Sequence, residues 1–307
     1  MLFPDRVDPQ MRVLTMAGIR LTDRDIRVLA DLGELGLLDF ELCRSRHFAT
    51  LSYERCRQKI AQYLENGLIQ AIKLQVWYAS DARGGRIPTI LCLAELGAEA
   101  VHQRTGDYPR HILSSDLAPA TFFHRLQVVK VRIAVDSAAQ HAGLSQPCWI
   151  MERDMRPDAP ANVMPHQRRI LYHEFTTPSG TFTCQPDAAA TLLIPHPNGP
   201  PTELAVLFEI DLSTEGLAQC RRKVPGYTAI FQQRSFPYWS HLRHPAIRVF
   251  WVVPSDQRIG TLAAALRDFP AAQCFRFTTF AQCNHNVLTQ PVWQDVHGTP
   301  MTIYQSS

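Results

Sequence analysis

The stretch ELAVLFEIDL at residues 203–212 is an apolar strand pattern interrupted by two acids, and its reading decides the fold of the second half of the chain. Glu209 and Asp211 stand two apart, so on a strand they point to one face. The preceding run TFTCQPDAAATLLIP (181–195) reads as a neighbouring strand, and the turn HPNGPP joins the two as a hairpin. That pairing brings Asp187, which follows Pro186, toward the same point. Carboxylates gathered in this way repel one another unless a cation lies between them, and an oxygen donor set favours Mg²⁺ or Mn²⁺. Asp187 and Glu209 are the expected metal ligands, with Asp211 as a second ligand or a group that positions water. The only lysines are Lys59, Lys73, Lys130 and Lys223. Lys223 falls on the helix predicted after the acidic strand, and Tyr227 follows one turn later on the same side. A lysine beside a metal can support a scissile phosphate, so metal-assisted phosphodiester hydrolysis would use these parts. Against this stands a plainer reading, in which the acids form salt bridges to Arg221 or Arg222 and Lys223 is a surface residue.

Outward from this stretch the pattern stays mixed. RILYHEF (169–175) reads as a third strand, which makes an antiparallel meander with the two above. A helix is predicted from Thr214 to Arg234, a strand over AIRVFWVV (246–253), a helix over 256–268 and a strand over CFRFTTF (274–280). Helices and strands in this order make an αβ sandwich around a mixed sheet. A long helix over 119–142 precedes it, opening on Pro119.

The first half reads differently. A helix is predicted over 22–38 with Thr22 as its cap, a short one over 40–48, and a third from Ser52 to Gly67. On the third helix Tyr53, Cys56, Ile60, Tyr63 and Leu64 share one face, and Arg55, Gln58, Lys59 and Gln62 share the other. Two strand-like runs follow, LIQAIKLQVWYAS (68–80) and RIPTILCLAEL (86–96), around the turn DARGGR. Three helices and a hairpin are the order of a winged helix-turn-helix, whose third helix enters the major groove of double-stranded DNA. Arg55, Gln58, Lys59 and Gln62 are the expected base-reading residues. Arg83 and Arg86, at the hairpin tip, are expected near phosphates. The whole chain is thus of α/β (α+β) class: a winged-helix DNA-binding domain at 1–105, a linker and long helix at 106–142, and the mixed-sheet domain at 143–307.

Composition bounds the function. The 307 residues are 46% hydrophobic and 19% charged, enough apolar material for packed cores. No apolar run reaches membrane-spanning length, and the opening MLFPDRVDPQ lacks the pattern of a signal peptide, so a cytoplasmic protein with no membrane partner is expected. The net charge of +3 is small, but between Cys43 and Arg86 eight basic residues face three acids. The eight cysteines include no pair separated by two residues, which argues against a zinc ribbon and for reduced, buried thiols. HLRH at 241–244 spaces two histidines only loosely like a helical metal pair. Phosphate-binding loops, dinucleotide fingerprints and the serine-hydrolase elbow are all missing, so no nucleotide cofactor is expected.

QPD at 185–187 followed by FEID at 208–211 resembles the PD-(D/E)XK nuclease pattern. The usual lysine place, two residues after the second acid, holds Asp211, and Lys223 on the next helix would take that role. The fuller arrangement resembles the bacterial replication-relaxation family: a winged helix, a long linking helix, WIME (149–152), the PDA element, the E-x-D strand, and KVPGY (223–227). The resemblance implies a nuclease-like domain in a protein of plasmid or mobile-element replication, with Glu152 joining Asp187 and Glu209 around the metal. Three functions stay open at this point. One is a metal-dependent DNA endonuclease, one a non-catalytic DNA-binding regulator on a degenerate nuclease fold, and one a protein-docking module. A homodimer reading two half-sites is compatible with the first two.

Overall fold

Thr22 and Asp25 begin the first helix by the reciprocal hydrogen bonds of a capping box, and a computed structural model of the chain carries the fold onward from there. It describes residues 14–16, 18–72, 89–110, 119–160, 162–178, 180–196, 199–233 and 246–305. The hairpin tip with Arg83 and Arg86, and the histidines of HLRH, lie outside the described residues. The chain divides into two compact units, 1–129 and 130–307, and the class is α+β.

In the first unit, β1 (Leu14–Met16) and β2 (Ile19–Leu21) pair antiparallel ahead of α1 (Asp23–Leu35). The Thr22 side chain accepts from the Asp25 backbone N–H, and the Asp25 carboxylate accepts from the Thr22 N–H at 2.7 Å. Such caps are worth about 1 kcal/mol. Ile26, Leu29, Leu32 and Leu35 are buried along one stripe, and Gly36, at φ 83°, ends the helix. β3 (Leu38–Asp39) leads into α2 (Phe40–His47), which Asp39 caps, and Ser52 caps α3 (Tyr53–Glu65). β4 (Ile69–Ile72) and β5 (Ile90–Leu93) form the stem of the expected hairpin, and β3 joins them in an antiparallel sheet of order β3-β5-β4.

The sequence reading missed α4 (Glu95–Thr105), because the apolar run before it reads on as strand and Gly97 disguises a helix. That glycine is there for close approach: a Cβ would sit inside the Leu68 carbonyl.

A polar network centres on a buried acid of this unit. Asp25 is 1% exposed and accepts from the Tyr63 hydroxyl at 2.5 Å, while the Lys59 ammonium lies 3.0 Å from the same oxygen. Burial pushes the Asp25 carboxyl up, but hydrogen bonds from the Thr22 backbone, Tyr63 and Lys59 outweigh it and hold the group below its ordinary value. Lys59, expected to read bases, thus points into the unit instead.

The second unit contains the rest of α5 (Pro119–His141), β6 (Cys148–Met151), β7 (His173–Thr177), β8 (Gly180–Cys184), β9 (Ala188–His196) and β10 (Gly199–Ile210). Then come α6 (Leu217–Gln233), β11 (Ala246–Val253), α7 (Asp256–Leu266), β12 (Phe275–Thr279), β13 (Trp293–Gln294) and β14 (Pro300–Met301). Seven strands form one mixed sheet of order β14-β13-β12-β11-β10-β9-β6, in which β10, β11 and β12 are parallel. The parallel pairs need crossovers, which α6 and α7 supply.

The expected three-stranded meander does not form. The run 181–195 breaks at Gln185–Pro186–Asp187, where proline offers no N–H to a ladder. β7 and β8 make a separate hairpin, and β9 alone joins the large sheet beside β10 and β6. Alternation along β10 sorts its side chains. Ala205 and Leu207 enter the core that includes Val224 and Tyr227 of α6 and Leu262 of α7, whereas Phe208 stacks on Trp149 of β6 on the opposite face, at 5.1 Å. Trp149 in turn donates to Asp136 of α5 at 2.7 Å.

The Asp25 network makes a prediction about acid stability. The carboxyl has an unfolded value of about 3.8 and a lower folded one, so its ionised form stabilises the fold above pH 3.8, and that contribution disappears as pH falls through the folded value. Asp25→Asn is expected to flatten the acid limb of urea unfolding followed by circular dichroism. An acid limb as steep as that of the wild type would show that the network is not its source.

Candidate functional site

β10 reaches the end of the sheet with Glu209 on the side of α6, in register with Trp251 of β11. The side chain is 2% exposed, so its carboxylate needs partners from the protein. α6 provides them at i and i+4. Lys223 donates to Glu209 Oε2 at 2.8 Å, and the Tyr227 hydroxyl donates to Oε1. The Lys223 ammonium is shared with Glu215 at 3.0 Å and lies 6.0 Å from the centre of the Trp251 ring. Pro225 sits inside α6 without diverting the lysine, and Gly226 is the close point: a Cβ there would come to 2.6 Å from the Thr183 carbonyl oxygen of β8.

Asp187 meets the same strand end from β9. Its N–H donates to the Phe208 carbonyl at 2.9 Å, and its Oδ2 accepts from the Ile210 N–H at 2.7 Å, clamping β10 on both sides of Glu209. Electrostatics link the group. Burial is the largest influence on Glu209 and pushes its carboxyl up to about 7, with Asp187 adding to the rise and Lys223 opposing it. Burial disfavours the Lys223 ammonium, but Glu209, Asp187 and Glu215 together raise it above the ordinary lysine value, so it stays charged. The Tyr227 hydroxyl is raised well above its usual value by burial and by Glu209.

The structure therefore gathers Asp187, Glu209, Lys223 and Tyr227. It does not add Asp211 or Glu152. β10 ends at Ile210, so Asp211 leaves the alternation that would have placed it beside Glu209. Its Oδ1 accepts from the Ser213 N–H at 2.8 Å, and its Oδ2 meets Arg258 of α7 at 2.5 Å. Glu152 follows β6 and pairs with Arg169 at 2.5 Å. Arg258 escaped the sequence reading because it meets its acid 47 positions away, a separation that leaves no local signal. Gly226 beside Pro225 was the one visible sign that another backbone crosses α6.

The donor set does not fit a divalent ion as it stands. Both Glu209 oxygens are engaged by Lys223 and Tyr227, both Asp211 oxygens by Arg258 and Ser213, and Glu152 by Arg169. Among the described residues no three Asp, Glu, His or Cys side chains are gathered where they could hold one metal.

On α3, Arg55, Gln58 and Gln62 are exposed and share one face at i, i+3 and i+7. The other described cations of the basic stretch face acids of their own unit: Arg44 with Glu41, Arg46 with Asp31, Arg57 with Glu54, and Lys59 with Asp25. The local charge excess is thus smaller at the surface than in the sequence.

A compact α+β body in which Asp187, Lys223 and Tyr227 gather around the buried Glu209 carboxylate, preceded in sequence by a mainly helical unit, is the class that fold and site define. The model of the replication-relaxation family matches residues 29–238, a span from within α1 past α6 that contains every residue of the cluster, and the chain belongs to that family. Its description associates the chain with replication. Neither the curated proteins nor the solved structures contain a match. No described helix is long and apolar enough to cross a membrane.

Gly226→Ala is expected to cost about 1–3 kcal/mol, since a backbone carbonyl cannot yield to the added methyl as a side chain would. Urea unfolding checks this, and an unchanged midpoint would show that α6 and the β7–β8 hairpin have room to separate.

Proposed function

We propose that this chain is a DNA-binding protein of plasmid or mobile-element replication, working in the bacterial cytoplasm, and that its second unit is a nuclease-like body that does not hydrolyse DNA. The exposed Arg55, Gln58 and Gln62 face of α3 carries the reading. It stands on the third helix of its unit, ahead of the β4–β5 pair, an order that supports a winged-helix reading. Arginine and glutamine are suited to base edges of double-stranded DNA: arginine pairs with guanine, and glutamine with adenine. Arg83 and Arg86 would add phosphate contacts, and a homodimer would read two half-sites.

Support for a non-hydrolytic body comes from the pairing of its acids with the protein's own donors. The second reading is an Mg²⁺- or Mn²⁺-dependent endonuclease, favoured by the convergence of Asp187, Glu209 and Lys223 on the end of β10. Supercoiled plasmid incubated with either ion separates the two. A wild type that nicks and an Asp187→Ala variant that does not would establish the second reading, and plasmid left intact by both favours the first.

Arg55→Ala combined with Gln58→Ala is expected to weaken retention of duplex DNA by about 1–3 kcal/mol per lost base contact, roughly tenfold or more. Mobility-shift titrations at several salt concentrations measure this. Lys59→Met is expected instead to lower the unfolding midpoint through Asp25. Unchanged DNA retention in the double variant would end the DNA reading of α3.

A further inference from the structure

Two helices of this protein hold a buried acid with a lysine and a tyrosine, on one oxygen of Asp25 and on both oxygens of Glu209. On α3, Lys59 and Tyr63 stand at i and i+4 and both reach Asp25. On α6, Lys223 and Tyr227 stand at i and i+4 and both reach Glu209. The acids are 1% and 2% exposed. The Asp25 copy is an internal tie that joins α1 to α3, and its carboxylate is further engaged by the backbone of a helix cap. Nothing in that arrangement calls for a metal, because the Lys59 ammonium, the Tyr63 and Thr22 hydroxyls and the Thr22 backbone N–H satisfy the carboxylate. The Glu209 copy is built from the same parts, with Asp187 pinned beside it by the Ile210 N–H.

We propose that Lys223 is the resident counter-ion of the Glu209 site, its ammonium held between Glu209 and Glu215, so that the carboxylates are neutralised without metal. The inference rests on the non-hydrolytic reading of the body and is independent of DNA reading by α3. An ammonium is a compact point charge with three donors, and Lys223 turns it on two carboxylates, one at 2.8 Å and one at 3.0 Å. Tyr227 closes the remaining Glu209 oxygen. Its place is fixed because it is 1% exposed, and Gly226 lets α6 approach β8. Removing the ammonium while keeping the rest uncovers a buried carboxylate beside Asp187 and Glu215, and that vacancy would attract an oxygen-loving cation.

The test is thermal unfolding of the full chain in EDTA and in millimolar MnCl₂, with bound Mn²⁺ read by electron paramagnetic resonance. The wild type is expected to melt at one temperature in both and to hold no Mn²⁺. Lys223→Met is expected to melt several degrees lower in EDTA, to regain part of that loss with Mn²⁺, and to bind the ion. Adding Glu209→Gln should abolish the response. A wild type that binds Mn²⁺ and loses that binding on Glu209→Gln overturns the proposal. So does a Lys223→Met protein that melts with the wild type, or one that is destabilised and indifferent to Mn²⁺. If Lys223→Met does not fold, the wild-type resonance measurement and Lys223→Arg decide. An arginine variant that folds and binds no Mn²⁺, with a silent wild type, supports the proposal, and Mn²⁺ bound by either overturns it. Plasmid nicking by the wild type would end the non-hydrolytic reading whatever the melts show, so the two failures are distinguishable.

Discussion

A carboxylate buried at the end of a central strand is the constraint from which the second unit is organised. Glu209 cannot remain ionised inside the core without donors, and water does not reach it. Its partners must come from the helix that crosses the strand, which fixes the spacing of Lys223 and Tyr227 and the angle at which α6 lies over β10 and β11. That angle presses α6 onto the β7–β8 hairpin, which is why position 226 has no side chain. Asp187 completes the arrangement by capping the strand end through backbone hydrogen bonds. A buried ion pair of this kind adds little net stability compared with apolar packing, but losing one partner is costly, about 3–5 kcal/mol, because the other charge is left stranded. The cluster therefore specifies geometry more than it adds stability.

Much of this was legible in the sequence, and the exceptions have physical reasons. The α+β class followed from apolar periodicity, and ELAVLFEIDL announced a central strand carrying acid. Lys223 and Tyr227 stood out because lysine is rare here and i, i+4 spacing places two side chains on one helix face. Asp211 misled because alternation holds only while the strand continues, and β10 stops one residue short of it. The meander over 169–212 failed at Pro186, where the missing N–H was visible but was read as a feature within one strand. Lys59 looked like a base reader because helical spacing alone does not show that a buried aspartate from α1 awaits it. Tertiary pairs such as Asp211 with Arg258 leave no trace in local pattern at all.

Family membership and geometry answer different questions. The match over 29–238 ties the chain to replication and covers the α3 face together with the acidic cluster. The geometry shows what each acid is doing: Asp25 and Glu209 are held by lysine and tyrosine, Asp211 and Glu152 by arginine. In both units a negative group inside the fold is matched by a positive group of the same fold.

Anomalous diffraction from crystals of the wild-type protein grown in MnCl₂ tests most directly whether the protein's own ammonium neutralises the Glu209 carboxylate. Lys223 Nζ is expected in contact with Glu209, with no anomalous peak at that carboxylate. A manganese peak bridging Glu209 and Asp187, with Lys223 Nζ withdrawn from Glu209, would contradict it.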